Sequence, residues 1–147
     1  MEITEVRIRL LEGRRDRLRA YAAITFDGQY VVRDLRIIEG TRGIFVAMPS
    51  RRLADRCPRC GGKNHLRANY CNECGTRLPA GRAPQDANGR VRLHCDVAHP
   101  VHREAREKIE RQVLAKFYEE VGRQQRGQYS PPADHDYELE EDGLEFE

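Results

Sequence analysis

The chain has 147 residues, of which 39% are hydrophobic and 34% charged, a composition that fits one domain or one domain plus a small module. These values exclude a large multidomain architecture and argue against a wholly disordered chain. No stretch approaches the roughly 18–20 apolar residues of a transmembrane helix, and residues 1–12 carry charges where a secretory signal would be apolar. We therefore expect a cytoplasmic protein with no membrane partner.

Charge is distributed unevenly along the chain, although the formal net charge is only +2. Residues 127–147 contain eight acidic residues and no Lys or Arg, so residues 1–126 hold 26 Lys and Arg against 16 Asp and Glu. A basic body of net charge +10 favours polyanionic partners such as DNA or RNA. The proline-broken acidic end predicts a disordered tail over residues 123–147, which either solvates the body or competes with nucleic acid for it.

Alternation of apolar and polar residues over the first 50 positions predicts half-buried β-strands. The first strand contains Val6–Leu10, and the second, Leu18–Phe26, keeps a period of two for nine residues. The Asp-Gly pair at positions 27–28 predicts a tight hairpin turn into a third strand, because such a turn needs two residues with positive φ. A fourth alternating run, Ile44–Met48, ends at a proline. The prediction is an antiparallel meander of four strands.

Beyond residue 50 the composition changes, because four of the five cysteines lie within residues 51–82. Residues 79–89 are rich in Pro, Gly and Asn and lack periodicity, so they are predicted to be a linker. Strand alternation resumes over residues 90–97, and a helix is predicted from His99-Pro100 to about Gly122. One apolar face of this helix should pack on the sheet. That face comprises Ala105, Ile109, Val113, Phe117 and Val121, widened by Val101, Leu114 and Tyr118.

Two C-x2-C-G knuckles lie within 18 residues and contain Cys57, Cys60, Cys71 and Cys74. This spacing lets four thiolates converge on one tetrahedral cation, and the glycine after each second cysteine tolerates the positive φ of such a turn. We predict a structural Zn²⁺ site, because four cysteines leave no open position for water or substrate. Two disulfides would suit a secreted protein better, and an iron site or a redox pair is the remaining alternative.

The fifth cysteine and the histidines carry weaker signals. Cys95 lies on the apolar face of its strand alternation, which predicts a buried small side chain and not a reactive thiol. His94, His99 and His102, together with Asp96, are candidates for a second metal site, although capping and hydrogen bonding are the commoner roles of such histidines. No phosphate-binding loop, nucleophile elbow or carboxylate pair occurs in the sequence. Neither an enzyme nor a small-molecule substrate is predicted.

Five segments carry a family resemblance, namely Met1–Arg9, Ala23–Asp27, Val31–Gly40, Gly43–Arg52 and Asp96–Val101. The blocks Phe-Val-Ala-Met-Pro-Ser and Asp-x-Ala-His-Pro are the most specific. On these residues, the sequence resembles the stage V sporulation protein G (SpoVG) family over about residues 2–52 and 94–121. The resemblance implies a small α+β protein with an antiparallel sheet and one C-terminal helix. It also implies a homodimer that binds DNA and RNA and influences septation, sporulation and gene expression in bacteria.

The chain departs from the family pattern in two places: His94 and Cys95 stand where the family usually has an aromatic and a basic residue, and a segment is inserted. Family members pass from the basic pair after Met-Pro-Ser to the Asp-x-Ala-His-Pro block within a few residues, whereas here roughly forty residues intervene, an insertion that a surface position tolerates. We therefore predict a SpoVG-like core at residues 1–52 and 90–122. A zinc-ribbon-like insertion is predicted at residues 53–78, a linker at 79–89 and the acidic tail at 123–147.

The leading hypothesis for function is a cytoplasmic, homodimeric regulator that binds nucleic acid. Arg51 and Arg52 match the family's basic pair, so the resemblance implies that they contact phosphate. Arg103 and Arg106, near the start of the helix, are further candidates. The alternative is a zinc-ribbon adaptor that binds a partner protein without direct nucleic-acid binding, because a basic body also fits an acidic protein surface.

Overall fold

The computed structural model describes residues 1–12 and 16–133. The chain divides into two compact units, one formed by Met1–Met48 with the chain from Pro100 onward, and the other by Pro49–His99. Residues 49–52 and 90–99, which were predicted to belong to the core, therefore lie in the second unit. All eight acidic residues of the predicted tail fall at positions 134–147, outside the described residues.

The first unit contains an antiparallel sheet of four strands in the order β1-β2-β3-β4. The strands are β1 (Ile3–Leu10), β2 (Leu18–Phe26), β3 (Tyr30–Gly40) and β4 (Gly43–Ala47). Each strand pairs with the next one along the chain, which confirms the predicted meander. Asp27 and Gly28 form the turn between β2 and β3 with φ values of 51° and 63°. The conformation that the Asp-Gly pair predicted is thus the one observed.

A β-bulge in the middle of β3 changes which of its residues face the core. Ala22 of β2 pairs with Leu35, whereas Ile24 pairs with Val32, so β3 has one extra residue between these two pairs. Asp34 adopts a φ of 65° there, a conformation that is uncommon for a residue with a side chain. The bulge restores the inward orientation for the second half of β3, where Leu35 and Ile37 are fully buried.

Helix α1 (Arg103–Gln125) packs on one face of this sheet. Its apolar side chains Ile109, Val113 and Phe117 join the inward-facing residues of the strands in a single core, as the helical periodicity predicts. The helix begins after the predicted His99-Pro100 because His102 is its N-cap. The Nδ1 atom of that histidine accepts a hydrogen bond from the Ala105 N–H at 3.1 Å.

Two residues that were predicted to widen the apolar face of the helix are exposed instead of packed on the sheet. Val101 precedes the helix and is 87% exposed, and Tyr118 is also exposed. Val121 is only partly buried, whereas its neighbour Glu120 has an exposure of 7%. The Glu120 Oε1 atom lies 3.2 Å from the Lys116 Nζ atom, which compensates the charge of the buried carboxylate.

Residues beyond α1 contact the edge strand β1. The Tyr129 hydroxyl accepts a hydrogen bond from the Leu10 N–H and donates one to the Ile8 carbonyl, both at 3.0 Å. The Pro132 carbonyl accepts a hydrogen bond from the Arg9 guanidinium at 3.3 Å. These contacts satisfy backbone groups on the side of β1 where, within residues 1–12 and 16–133, no further strand pairs with it. The disordered tail predicted from residue 123 is therefore wrong for residues 123–133, which the helix and this segment account for, and the rest of that prediction lies outside the described residues.

The second unit is built from two short antiparallel pairs. β5 (Ser50–Arg52) pairs with β8 (His94–Asp96), and β6 (Ala54–Arg56) pairs with β7 (Lys63–His65). The strand predicted over residues 90–97 is thus shorter than its alternation suggested.

Residues 79–89 form a hydrogen-bonded hairpin-like segment, not the predicted linker. The Arg92 N–H donates to the Pro84 carbonyl at 2.8 Å, and the Asp86 N–H donates to the Arg90 carbonyl at 2.9 Å. The Asp86 side chain also accepts a hydrogen bond from the Arg90 N–H at 2.9 Å. The proline and glycine content of this segment therefore marks turns, not a lack of structure.

Candidate metal centre and basic surface

Four cysteine Sγ atoms converge in the second unit, from Cys57, Cys60, Cys71 and Cys74. All lie within 4.8 Å of one another, with 3.8 Å between Cys57 and Cys74 and 3.5 Å between Cys60 and Cys71. Four sulfurs at the usual Zn–S distance of about 2.3 Å form a tetrahedron with edges of about 3.8 Å. The observed spacing therefore fits one tetrahedral metal ion and is too long for disulfide bonds.

Two backbone turns of the same design position the sulfurs. In the first turn the Gly61 N–H donates to the Cys57 carbonyl at 2.9 Å, and in the second the Gly75 N–H donates to the Cys71 carbonyl at 3.0 Å. The two glycines have φ values of 78° and 75°. A side chain at either position would strain the turn, which is why glycine follows the second cysteine of each knuckle.

N–H groups surround the Cys71 sulfur. Its Sγ atom accepts hydrogen bonds from the Glu73 and Cys74 backbone N–H groups and from the Asn64 side chain, at 3.4 to 3.5 Å. Asn64 is buried, and its carbonyl oxygen accepts a hydrogen bond from the Asn72 N–H at 2.8 Å. This asparagine links β7 to the second knuckle. Sequence patterns did not indicate its role, because its partners in the second knuckle are seven and eight residues away.

The pKa values of two cysteines in the cluster, Cys71 and Cys60, are shifted in opposite directions. The Cys74 N–H and the Asn64 amide lower the pKa of Cys71 to about 6, because both donate to the charged sulfur. The Gly62 N–H acts in the same direction on Cys60, but the Cys71 thiol, burial and the other two thiols together raise the pKa of Cys60 to about 12. A divalent cation must therefore displace a proton from Cys60 at neutral pH, which makes metal binding dependent on pH. With four thiolates around it, a bound ion would have no open position for substrate.

Cys95 and the histidines do not add a second metal site. Across residues 1–12 and 16–133, no other group of three or more potential ligands comes close enough to share an ion. Cys95 is half-buried instead of buried as predicted, and its Sγ atom lies 3.9 Å from a guanidinium nitrogen of Arg92. His102 caps α1, so the capping interpretation is confirmed for this histidine.

Arg51 and Arg52 lie side by side in β5 and are both exposed. They pair with Cys95 and His94 of β8, respectively. Because successive residues of a strand point to opposite faces, Arg52 shares a face with His94, whereas Arg51 points away from it. In the described part of the chain, neither arginine takes part in an ion pair.

Arg103 and Arg106 belong to the other unit, where they occupy the first turn of α1 and are exposed. The Arg103 guanidinium donates to Glu107 at 2.8 Å, so part of its charge is already compensated. The four predicted arginines therefore fall into two pairs, one in each unit. Of these, only the pair on α1 includes an arginine, Arg103, that forms an ion pair among the described residues.

The second unit is strongly basic, because residues 49–99 contain ten Lys and Arg against four Asp and Glu. One of these cations is structural: the Arg82 side chain is only 12% exposed and forms an ion pair with Asp55. It also donates to the Ala68 carbonyl at 2.7 Å and the Pro79 carbonyl at 2.9 Å. Arg82 thereby ties the segment that was predicted as a linker to the cysteine module. No local pattern identifies this role, since Asp55 lies 27 residues away.

A four-stranded antiparallel sheet covered by one C-terminal helix, in one chain with a module whose four cysteines lie close enough to bind a metal ion, defines a small α+β protein with a candidate metal centre. Among the described residues, no helix is both long and apolar enough to cross a bilayer. The sequence matches the SpoVG family over residues 1–119, and the chain belongs to this family. The predicted fold and the family resemblance are thereby confirmed.

Named relatives support the assignment. The chain is 34% identical over 141 residues to the septation protein SpoVG of Finegoldia magna, covering 96% of each sequence. It is 36% identical over 120 residues to the septation protein SpoVG of Priestia megaterium, covering 80% of this chain and 84% of the relative. A second septation protein SpoVG of Listeria monocytogenes is 35% identical over 125 residues, covering 85% of each sequence.

Proposed function

We propose that this protein is a nucleic-acid-binding regulator related to bacterial septation and sporulation, and that it works as a cytoplasmic homodimer and not as an enzyme. The septation role is taken from the names of its relatives. DNA and RNA are the proposed partners. The observation that carries nucleic-acid binding is the net charge of +6 on residues 49–99, with the exposed pair Arg51 and Arg52 on β5.

Exposed arginines of this kind suit the phosphate backbone. A guanidinium group donates to two phosphate oxygens at once, and each phosphate contact releases condensed counterions from the nucleic acid. Arg51 and Arg52 are the first candidates because their charge is not shared with a carboxylate in the described residues. Arg103 and Arg106 rank second, since Arg103 donates to Glu107.

For the four-cysteine site we propose Zn²⁺. Thiolates are ligands that zinc prefers, and the sulfur spacing of 3.5 to 3.8 Å agrees with a tetrahedral Zn–S shell. The ion would be structural, holding residues 57–74 in their fold. Metal analysis after purification under reducing, zinc-replete conditions tests this proposal, and the expected result is close to one zinc per chain.

Binding of the full-length protein to fluorescein-labelled single-stranded RNA, single-stranded DNA and duplex DNA tests the function. We expect anisotropy to show affinities that fall steeply with salt. The variant with both Arg51→Glu and Arg52→Glu should lose affinity for all three probes alike, because phosphate contacts are independent of sequence. A variant with Lys63→Glu and Arg77→Glu is the matched control, since it makes the same charge change at exposed positions of the same unit. Binding that is undetectable at low salt would contradict the proposal.

A zinc-ribbon adaptor is the second candidate, favoured by exposed apolar side chains on the same unit. Tyr70 is 61% exposed, and Val91 and Val97 are also exposed, so apolar and aromatic side chains of the kind found at protein interfaces are accessible on this unit. Polyglutamate serves as the discriminating probe in the binding assay. If it binds as tightly as the oligonucleotides at equal charge, the adaptor function is favoured and a dedicated nucleic-acid site is not.

A further inference from the structure

A groove crosses the surface of the second unit near β5. Its first part is a cavity of about 210 Å³ lined by Arg52, His65, Leu66, Arg67, Leu93 and His94. A neighbouring cavity of about 290 Å³ shares Leu66, Arg67 and Leu93 with it. Because three lining residues are common to both, the two cavities are adjacent, and together we call them the module groove.

Backbone hydrogen bonds hold the walls of the module groove together. The Leu53 N–H donates to the Leu93 carbonyl at 2.8 Å, and the Leu66 N–H donates to the Leu53 carbonyl at 3.3 Å. Leu53 thus connects the segments that carry the lining residues on both sides. The pairing of Arg52 with His94 in β5 and β8 places these two side chains on one face. The groove is therefore part of the folded unit and not a gap between loose loops.

The lining has an apolar floor and a cationic rim. Leu66 and Leu93 are half-buried, whereas Arg52, Arg67 and the two histidines are exposed. Among residues 49–99, all of which the structure describes, no Asp or Glu lines either cavity. Arg82 borders the second cavity, but its guanidinium is engaged by Asp55 and backbone carbonyls. The free positive charge of the groove therefore comes from Arg52 and Arg67.

We infer that the module groove binds single-stranded nucleic acid, with Arg52 and Arg67 on phosphates and a base lying between His94 and the leucine floor. The inference rests on the proposed nucleic-acid-binding function and assigns the inserted module a direct part in it. Histidine rings and apolar side chains bind the faces of bases, which are accessible only when the strand is unpaired. Two adjacent cavities with charge on their rim suit a linear polyanion, whereas each cavity alone is small for a drug-sized ligand.

The phosphate part is tested with Arg67→Glu against Arg77→Glu, two exposed arginines of the same unit of which only Arg67 lines the groove. The probe is a fluorescein-labelled oligouridine, measured by anisotropy over a range of salt concentrations with full-length, metal-replete protein. Arg67→Glu should weaken binding about tenfold more than Arg77→Glu, and it should reduce the slope of log affinity against log salt by about 1.

The base part is tested at His94. His94→Ala should weaken oligouridine binding about tenfold, whereas His94→Phe should retain it, because a phenyl ring preserves the stacking surface. An abasic oligonucleotide of the same length carries the phosphates without bases. It should bind the wild type and His94→Ala equally, which separates lost stacking from a general disturbance. Equal circular dichroism spectra and metal contents confirm that the variants are folded.

The outcomes distinguish this inference from the function on which it rests. Equal losses for Arg67→Glu and Arg77→Glu, or wild-type oligouridine binding by His94→Ala, would overturn the groove while leaving nucleic-acid binding intact. If polyglutamate loses as much affinity as oligouridine in both groove variants, the groove holds an acidic peptide and the inference is wrong. A wild-type protein that binds none of the oligonucleotides at low salt refutes the proposed function itself.

Discussion

Removal of the metal should unfold the cysteine module while leaving the four-stranded sheet and α1 intact. Apart from hydrogen bonds and the ion pair between Arg82 and Asp55, the module has only a small buried apolar cluster, which consists of Cys57, Cys71 and Leu78 with Ala68 packed against it. Burying a leucine contributes about 1.5–3 kcal/mol. A structural zinc ion on cysteine ligands contributes about 10–16 kcal/mol at neutral pH. The metal term is several times larger, so the module should not survive without it.

Hydrogen exchange measured by mass spectrometry before and after chelation checks this expectation. Peptides from residues 57–78 should lose their protection, whereas peptides from β2 and α1 should exchange at unchanged rates. The sheet unit is expected to be independent because it has its own core, including the fully buried Leu35 and Val113. Zinc content gives a second readout. Cys71→Ser should bind well under one zinc per chain, and Cys95→Ser, which changes a cysteine outside the cluster, should bind as much as the wild type.

Two results would refute the reasoning. If residues 57–78 keep their protection after complete chelation, side-chain packing and hydrogen bonds stabilise the module and the metal is dispensable. If Cys71→Ser retains a full equivalent of zinc, the ion is bound elsewhere or by other ligands. Exchange that accelerates equally in the module and in β2 would show that the two units unfold together.

Three further predictions follow from the structure. Zinc retention should fall as pH decreases below neutrality, because protons compete with the metal for the thiolates, most strongly at Cys60, whose pKa is raised to about 12; dialysis over pH 7.5 to 5 with metal analysis measures this. Tyr129→Phe should destabilise the protein by about 1 kcal/mol in urea unfolding, since the hydroxyl bonds two backbone groups of β1, whereas the exposed Tyr118→Phe should change little. Truncation after Ala133 removes eight acidic residues and should raise affinity for RNA most at low salt if the tail competes for the basic surface. Equal binding by both forms at every salt concentration would leave the tail a solvating role only.

The proposed homodimer is open to a direct measurement. β4 is an edge strand, and the side chain of Phe45 on it is exposed, so this edge offers both backbone groups and apolar surface to a second copy. Light scattering at micromolar concentrations should give twice the chain mass, and Phe45→Glu should lower it. A monomeric mass for the wild type would contradict the dimer.

Local signals in the sequence were sufficient to predict the meander and the four-cysteine cluster. The turn at Asp27 and Gly28 depends on the φ values of two adjacent residues, so the dipeptide predicts it without knowledge of the rest of the chain. The cysteine cluster is equally local, because each C-x2-C-G knuckle closes its own turn and the two are close in sequence. The period of four in α1 likewise predicted the buried residues Ile109, Val113 and Phe117.

Contacts between distant residues decided the rest. The bulge at Asp34 depends on how β3 registers with β2, and alternation within β3 alone does not reveal it. Residues 79–89 have the composition of a linker, but Arg82 orders them through Asp55, which lies 27 residues earlier. Tyr129 follows the helix in a proline-rich segment, and its place on β1 depends on a partner more than a hundred residues away. Sequence patterns report which conformations a segment favours by itself. Only the tertiary structure shows which long-range partners satisfy its backbone and charges, and one such pairing, between Leu53 and Leu93, also joins the walls of the module groove.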